Sequence, residues 1–336
     1  MKIILVGFGV IGRGVAKVVD EKRKSLKEKY GFEPKVVAIS DSSGAAIDEN
    51  GLDLKKAIEV KENTGKIVNY NGKELSSVEV IESIDADVVV EATPTNIKTG
   101  EPAKTHILKA FENGKHVVTA NKGPLALYFK ELVESSEKNG VMFRYEASVG
   151  GAMPIINLAK ETLAGNEIKS IKGILNGTTN YILTKMEKEK LDFNTVLKEA
   201  QELGIAETDP SQDIYGYDTA AKIVILANSI MGMNKTIDDV KIEGITRITP
   251  EAIELANKSG YTIKLIGEVK KNKLVVEPRL VQLDSPLNVK GTLNVAMFNT
   301  DLAKEVVIVG RGAGATETAS AILSDLINIH FKAKEK

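Results

Sequence analysis

The run "KIILV" at residues 2–6 passes directly into Gly7, Gly9 and Gly12, spaced G-x-G-x-x-G, and then into a helical pattern carrying Val15, Val18 and Val19. Few short patterns limit a fold more. An apolar strand, a glycine loop and a helix, in that order, open a parallel sheet that holds a dinucleotide. The glycines allow a tight turn and the close approach of a pyrophosphate, to which the helix N-terminus offers unpaired N–H groups. Gly7, Phe8, Gly9, Val10, Ile11 and Gly12 are therefore candidate cofactor-binding residues. The alternative is a tight strand-to-helix turn that binds nothing; the placement of the glycines between a strand and a helix near the N-terminus favours the dinucleotide.

The alternation continues along the chain. Apolar stretches at 34–40, 86–93, 115–120 and 140–148 read as strands, with helical patterns at 101–113 and 124–139 between them. This predicts an α/β doubly wound parallel sheet. Ligands of such sheets bind beyond the carboxyl ends of the strands, which makes Thr93, Asn121 and Lys122 cofactor neighbours. Asp41 follows the second strand, where an acid binds the ribose hydroxyls of NAD; Arg13, Lys55 or Lys56 could instead serve the phosphate of NADP. Asp41 equally suits a turn, so the choice between NAD and NADP stays open.

The tail, 305–329, repeats a strand, a glycine run (Gly310, Gly312, Gly314) and a helix with apolar Ile322, Leu326 and Ile329. It is too short for a second dinucleotide domain, since one βαβ unit takes roughly 30 residues or more. The expectation is that it returns to the first domain, bringing Gly312 and Gly314 beside the cofactor. The alternative is a strand and helix closing the second domain.

Residues 150–304 differ in character. A helix entered through glycines (150–165), a strand (167–175), helices at 176–190, 192–204 and 217–232, and an antiparallel pair within 261–283 predict an α+β substrate domain. The expected division is 1–146 with 305–336 for the cofactor and 147–304 for the substrate. Within the second domain, "AETDPSQDIYGYDTAAK" (206–222) gathers Glu207, Asp209, Asp213 and Asp218 and ends on Lys222. Asp218 and Lys222 lie four apart on one helical face among small and apolar residues. A buried charged pair is costly and seldom accidental. The bland alternative is a capping acid with a surface ion pair of about 0.3–0.5 kcal/mol.

Composition narrows the chemistry. The 336 residues include no cysteine, which excludes disulfides, thiolate-bound zinc and thioester intermediates. Three histidines, His106, His116 and His330, are spaced unlike metal ligands. A net charge of −1 gives no basic field for nucleic acid, no apolar run reaches the roughly 20 residues of a membrane span, and no leader precedes "MKIILVGFGVIG". A cytoplasmic protein acting on a small molecule is expected.

Taken in order, "GFGVIG" (7–12), "NKGPL" (121–125), "EASVGGAMP" (146–154), "GILNGTTNYIL" (173–183), "ETDPSQD" (207–213), "YDTAAK" (217–222) and the glycine-rich tail resemble homoserine dehydrogenase over nearly the whole chain. The resemblance implies a Rossmann-type domain joined to a substrate and dimerisation domain, and a homodimer. It implies NAD(P)-dependent interconversion of L-homoserine and L-aspartate 4-semialdehyde, a step of threonine, methionine and isoleucine biosynthesis. By position, Lys222 would donate the proton to the carbonyl oxygen, Lys122 would lie at the reacting end, and Asp218 would hold the reacting oxygen or its water. Glu207 would hold the substrate ammonium, with Asp213, Gly204 and Thr178 as further substrate-binding residues. A sodium ion would be held by backbone carbonyls of Glu146, Val149, Gly151 and Met153. Two departures stand out: Ser40 replaces the basic residue that some relatives carry before the acid, and neither an ACT domain nor an aspartate kinase follows. The rivals are another dehydrogenase of this architecture and an NAD(P)-binding regulator without turnover.

Overall fold

A computed structural model of the protein describes residues 1–334. The chain divides into two compact units, Met1–Gly151 with the chain from Gly314 onward, and Ala152–Ala313.

In the first unit, β1 (Lys2–Val6), β2 (Lys35–Asp41), β3 (Gly44–Ile47), β4 (Val88–Glu91), β5 (His116–Thr119) and β6 (Phe143–Arg144) form one sheet in the order β3-β2-β1-β4-β5-β6. All neighbours run parallel except β3, which turns back on β2. The order reverses between β1 and β4, where open sheets of this type hold their ligands. Ile3, Leu5, Val88 and Val90 are fully buried beneath the helices, each side chain stabilising the fold by roughly 1.5–3 kcal/mol.

The helix Val10–Tyr30 and the tail helix Ala315–Lys334 pack together. Val15, Val19 and Leu26 of one share a core with Ile322, Leu326 and Ile329 of the other. The first helix stops at Gly31, whose left-handed φ of 60° lets its N–H reach back to Leu26 and Lys27. Edge-on contact of Tyr30 with Phe331 continues the seam.

The second unit is built on β7 (Ile168–Ile174), β8 (Lys241–Ile242), β9 (Tyr261–Lys270), β10 (Lys273–Gln282), β11 (Leu293–Thr300) and β12 (Glu305–Arg311), ordered β12-β11-β7-β9-β10-β8. The pairing is antiparallel apart from β8 with β10. The expected pair within 261–283 is the β9–β10 hairpin.

Three expectations change. The strand of the tail does not return to the first domain: β12 pairs with β11 residue for residue from Leu293↔Arg311 to Asn299↔Glu305, so the expected boundary at 305 moves to 314. Only the helix returns, because its apolar stripe matches that of Val10–Tyr30. The strand expected over 140–148 is extended only at Phe143–Arg144, and Ala147–Gly150 is a helical turn. The helix expected over 150–165 begins at Ile155 and passes into a wider π turn at Leu158–Thr162.

One buried charge holds the second unit's sheet to a helix. Lys264 on β9 has no exposed surface, and its ammonium donates to Asn180 Oδ1 at 2.9 Å, Thr184 Oγ1 at 3.2 Å and Val289 O at 3.0 Å. All three are neutral, so burial pulls its pKa down to about 8, with Lys290 adding to the shift and Glu187 opposing it. The unfolded chain keeps that proton up to about pH 10.5, so stability should rise with pH between roughly 8 and 10.5, by on the order of 3 kcal/mol in all. Denaturant unfolding of the protein and of Lys264→Met across this window checks it. The wild type should gain relative to the variant, and a constant difference would refute the assignment.

Candidate active site

The glycine loop divides its work by position. Gly7, at a φ of 92°, closes the turn after β1, and a Cβ there would lie 2.6 Å from the backbone of Ala92. A Cβ on Gly12 would lie 2.0 Å from Gly7 O, so the helix can sit this close to the strand only with glycine. Gly9 has nothing within 4 Å of its Cβ position and caps the helix Val10–Tyr30 without a side-chain bond. That open cap, with no acidic residue in the first turn, suits a pyrophosphate. Val10 is exposed and Ile11 half-buried beside it, while Phe8 is packed in the core, so only its backbone faces the loop.

Asp41 ends β2 and also makes the turn into β3. Its Oδ1 accepts from the N–H and hydroxyl of Ser43, and its Oδ2 from Lys61 Nζ at 2.6 Å. Burial raises its pKa, but the bonds from Lys61 and Ser43 outweigh this and leave the carboxyl below its ordinary value. Lys61 is thus the cation at this position, and it was missed in the sequence because it lies 20 residues downstream on the helix Leu54–Thr64. The cations named earlier are engaged elsewhere: Arg13 with Glu62, Lys55 with Asp20, and Lys56 over the ring of Tyr70.

At the carboxyl ends of β4 and β5, Asn121 donates to Thr93 O at 3.0 Å and caps the helix Lys122–Lys138, placing Lys122 in its first turn. The start of the tail helix lies against the helix Val10–Tyr30, since a Cβ on Gly14 would be 2.8 Å from Ala315 O. Gly314 precedes that helix, and a Cβ there would collide with the Glu317 carboxylate. Gly312, by contrast, belongs to the second unit. Its missing Cβ makes room for the Asn294 amide within that unit, a packing reason that differs from the expected cofactor contact.

In the second unit, the short helical turn Ser211–Ile214 after Pro210 delivers Asp213, and Gly216 opens the helix Tyr217–Met231. From Thr219 to Asn228 every residue of that helix is buried. Asp218 and Lys222 meet on it, Oδ2 to Nζ at 2.8 Å, with side chains only 11% and 8% exposed. Lys222 also donates to Leu175 O at 2.6 Å. This is a buried pair, so the surface-pair alternative fails. Its hub is Asn176, whose amide nitrogen donates to Asp213 Oδ1 at 2.6 Å and Asp218 Oδ2 at 2.9 Å, while its Oδ1 caps the helix Gly177–Glu189. Burial and the nearby Asp218 push the Asp213 carboxyl up, against the pull of Asn176, Lys222 and Thr178. Thr178 ties the loop after Gly204 to this cluster through Ile205 O at 3.1 Å. The Glu207 side chain is exposed, and its carbonyl is held by Gln201.

A family model described as "Homoserine dehydrogenase" matches residues 154–327, and one described as "Homoserine dehydrogenase, NAD binding domain" matches residues 7–146. The chain belongs to the homoserine dehydrogenase family. It is 75% identical to the homoserine dehydrogenase of Methanocaldococcus jannaschii, over the full length of both chains. It is 40% identical to an NAD(+)-dependent homoserine dehydrogenase of Pseudomonas canavaninivorans, covering 100% of this chain and 97% of the other. Among solved structures, a hyperthermophilic archaeal homoserine dehydrogenase in complex with NADPH superimposes with a TM-score of 0.86 at 33% identity, covering 98% of each chain.

For a homoserine dehydrogenase, the residue that the sequence analysis left unassigned is Asn176. Its signal was present in "LNGTT", an asparagine placed to cap a helix, but its second role needs Asp213 and Asp218, which lie 37 and 42 residues away. Asn176→Ala removes a helix cap and the shared donor together, and should cost about 1–3 kcal/mol of stability. It should also raise the Asp213 carboxyl further, read by carboxyl NMR titration. An unchanged titration would show that the amide does not hold these carboxylates.

Proposed function

We propose that the protein is a cytoplasmic, NAD(P)-dependent homoserine dehydrogenase that interconverts L-homoserine and L-aspartate 4-semialdehyde, with Lys222 as acid and base at the reacting oxygen. The observation that carries this reading is the buried Lys222–Asp218 pair joined through Asn176 to Asp213, in a chain matched on both sides by the family models. No described helix is long and apolar enough to cross a membrane.

The cofactor, when bound, supplies or accepts the hydride; the loop open at Gly9 fits its pyrophosphate. For the ribose, Asp41 offers a carboxylate to hydroxyls and Lys61 an ammonium to a phosphate, so each form of the cofactor has a partner. Lys222 donates its proton to the carbonyl oxygen as negative charge develops there, and its charge stabilises that oxygen in a dry setting. Asp218 Oδ2 and Leu175 O, on which its ammonium sits, are acceptors, so these contacts suit the ammonium form that reduction needs. Asp218 orients this ammonium and faces the reacting oxygen or its water. Glu207 and Asp213 supply the negative charge for the substrate ammonium, with Thr178 and Gly204 setting the loop between them. Lys122 adds a second positive charge beyond β5.

For the sodium ion we propose the backbone carbonyls of Glu146, Val149, Gly151 and Met153. In support, 146–151 is buried around the four-residue turn Ala147–Gly150, and neutral backbone oxygens suit a hard cation. A homodimer is also proposed, supported by Leu280, Leu283 and Val309, which are exposed on or beside the strands of the second unit.

The test is cofactor oxidation with L-aspartate 4-semialdehyde, comparing NADPH with NADH. Both should turn over, and Lys222→Ala should lower kcat by about 10²–10⁴-fold while cofactor binding persists. Turnover that survives the substitution would sink the assignment of the acid.

The pH profile has two limbs. Oxidation of homoserine needs neutral Lys222, so its rate should climb from neutral to alkaline pH. At the acid end, binding of the substrate ammonium should weaken as Asp213 takes up a proton, above the ordinary aspartate range because its carboxyl is pushed up. Asp213→Asn should flatten that acid limb in KM; a limb that survives in the variant belongs to another group.

A further inference from the structure

We propose that Glu91, which takes no part in the proton transfer, is a positioning residue for the nicotinamide end of the cofactor. It fixes Thr93 and the first turn of the helix that carries Lys122. The proposal rests on the reading that the first unit binds NAD(P).

Glu91 is the last residue of β4 and has no exposed surface, at the end of an otherwise all-valine strand. A carboxylate in such a place is costly unless its oxygens are occupied. They are occupied, and in a way that leads somewhere. Oε1 accepts from the Thr93 N–H at 3.0 Å and from the Thr93 hydroxyl, and Oε2 accepts from the Thr119 hydroxyl at 3.2 Å. Thr119 Oγ1 in turn accepts from the Asn121 N–H at 3.0 Å. Asn121 closes the ring by donating to Thr93 O at 3.0 Å, and its Oδ1 accepts from the Gly123 N–H at 3.1 Å. Glu91, Thr93, Asn121 and Thr119 thus form a closed circuit across the carboxyl ends of β4 and β5, where ligands of such sheets bind.

The circuit has no slack. A Cβ on Gly123 would come 2.5 Å from Asn96 O, and one on Gly7 would come 2.7 Å from Thr93 N. A shift of Thr93 therefore reaches both the glycine turn and the helix of Lys122. His106 Nδ1 stands 3.7 Å from Glu91 Oε1, beyond hydrogen-bond reach, and has no hydrogen-bond partner, so the carboxylate's bonds go to the threonines rather than to the imidazole. Three donors need an acceptor at two points, which a carboxylate supplies. Glutamine supplies one, and Thr119 can then turn its proton to Glu91 O, already 3.2 Å away.

The experiment compares Glu91→Met, Glu91→Gln and Thr119→Val. Each is assayed for kcat, for affinity for NADH and for affinity for ADP-ribose, which lacks the nicotinamide. Glu91→Met and Thr119→Val should each lower kcat by about tenfold or more, since small misplacements at the reacting end are costly. Both should weaken NADH but leave ADP-ribose within about twofold, because the glycine cap is untouched. Glu91→Gln should keep most of the activity. A merely structural carboxylate would instead weaken NADH and ADP-ribose alike, and that result overturns the proposal, as does unchanged kcat in Thr119→Val. Should Glu91→Met fail to fold, Thr119→Val decides. If the wild type binds neither ligand, the cofactor reading itself fails.

Discussion

A lysine ammonium taken out of water must be met by acceptors at fixed points, and the second unit is organised around meeting that demand. Lys222 needs Asp218 one turn before it on the same helix, and the carbonyl of Leu175 at the end of β7. Asp218 in turn shares the Asn176 amide with Asp213, so the start of one helix, the start of another and the short helical turn after Pro210 converge. Removing one member leaves a buried charge or an unmatched oxygen on the others, which costs more than any single bond is worth. The arrangement proposed to act on a carbonyl oxygen is thus also the one that satisfies the buried charges.

The first unit meets a different constraint with backbone rather than charge. Its glycines let β1, the ends of β4 and β5, and the head of the first helix approach within contact distance. The space left at Gly9 is what a diphosphate can enter. Charge enters at Asp41 and Glu91. One is balanced by Lys61, and the other is surrounded by hydroxyls and amide groups. The two carboxylates do different work because one closes the turn between β2 and β3 and the other sits buried at the carboxyl end of the central strand β4.

Local patterns were legible in the sequence where the physics is local. The glycine loop, the strand "VVVEAT", the apolar stripes of Val15 and Val19 and of Ile322 and Leu326, and the spacing of Asp218 to Lys222 all depend on neighbours a few residues away. What the sequence hid were partnerships across distance. Lys61 reaches Asp41 from 20 residues on, Asn176 reaches two acids about 40 residues away, and β12 chooses β11 over the first sheet. The strand of the tail misled for the same reason, and Gly312 has a packing partner in Asn294 that no spacing rule reveals. Asp41 was the intermediate case: open in the sequence, it makes the turn by accepting from the Ser43 N–H.

The tail's division has a consequence for biosynthesis on the ribosome. All six strands of the second unit have been made by Arg311, but the helix that covers Val15, Val19 and Leu26 of the first unit is synthesised only afterwards. Vectorial synthesis usually lets the earlier unit finish first. Here the order is inverted: the unit begun first is completed last, and its oldest helix must wait, with an apolar stripe uncovered, for the youngest one to emerge.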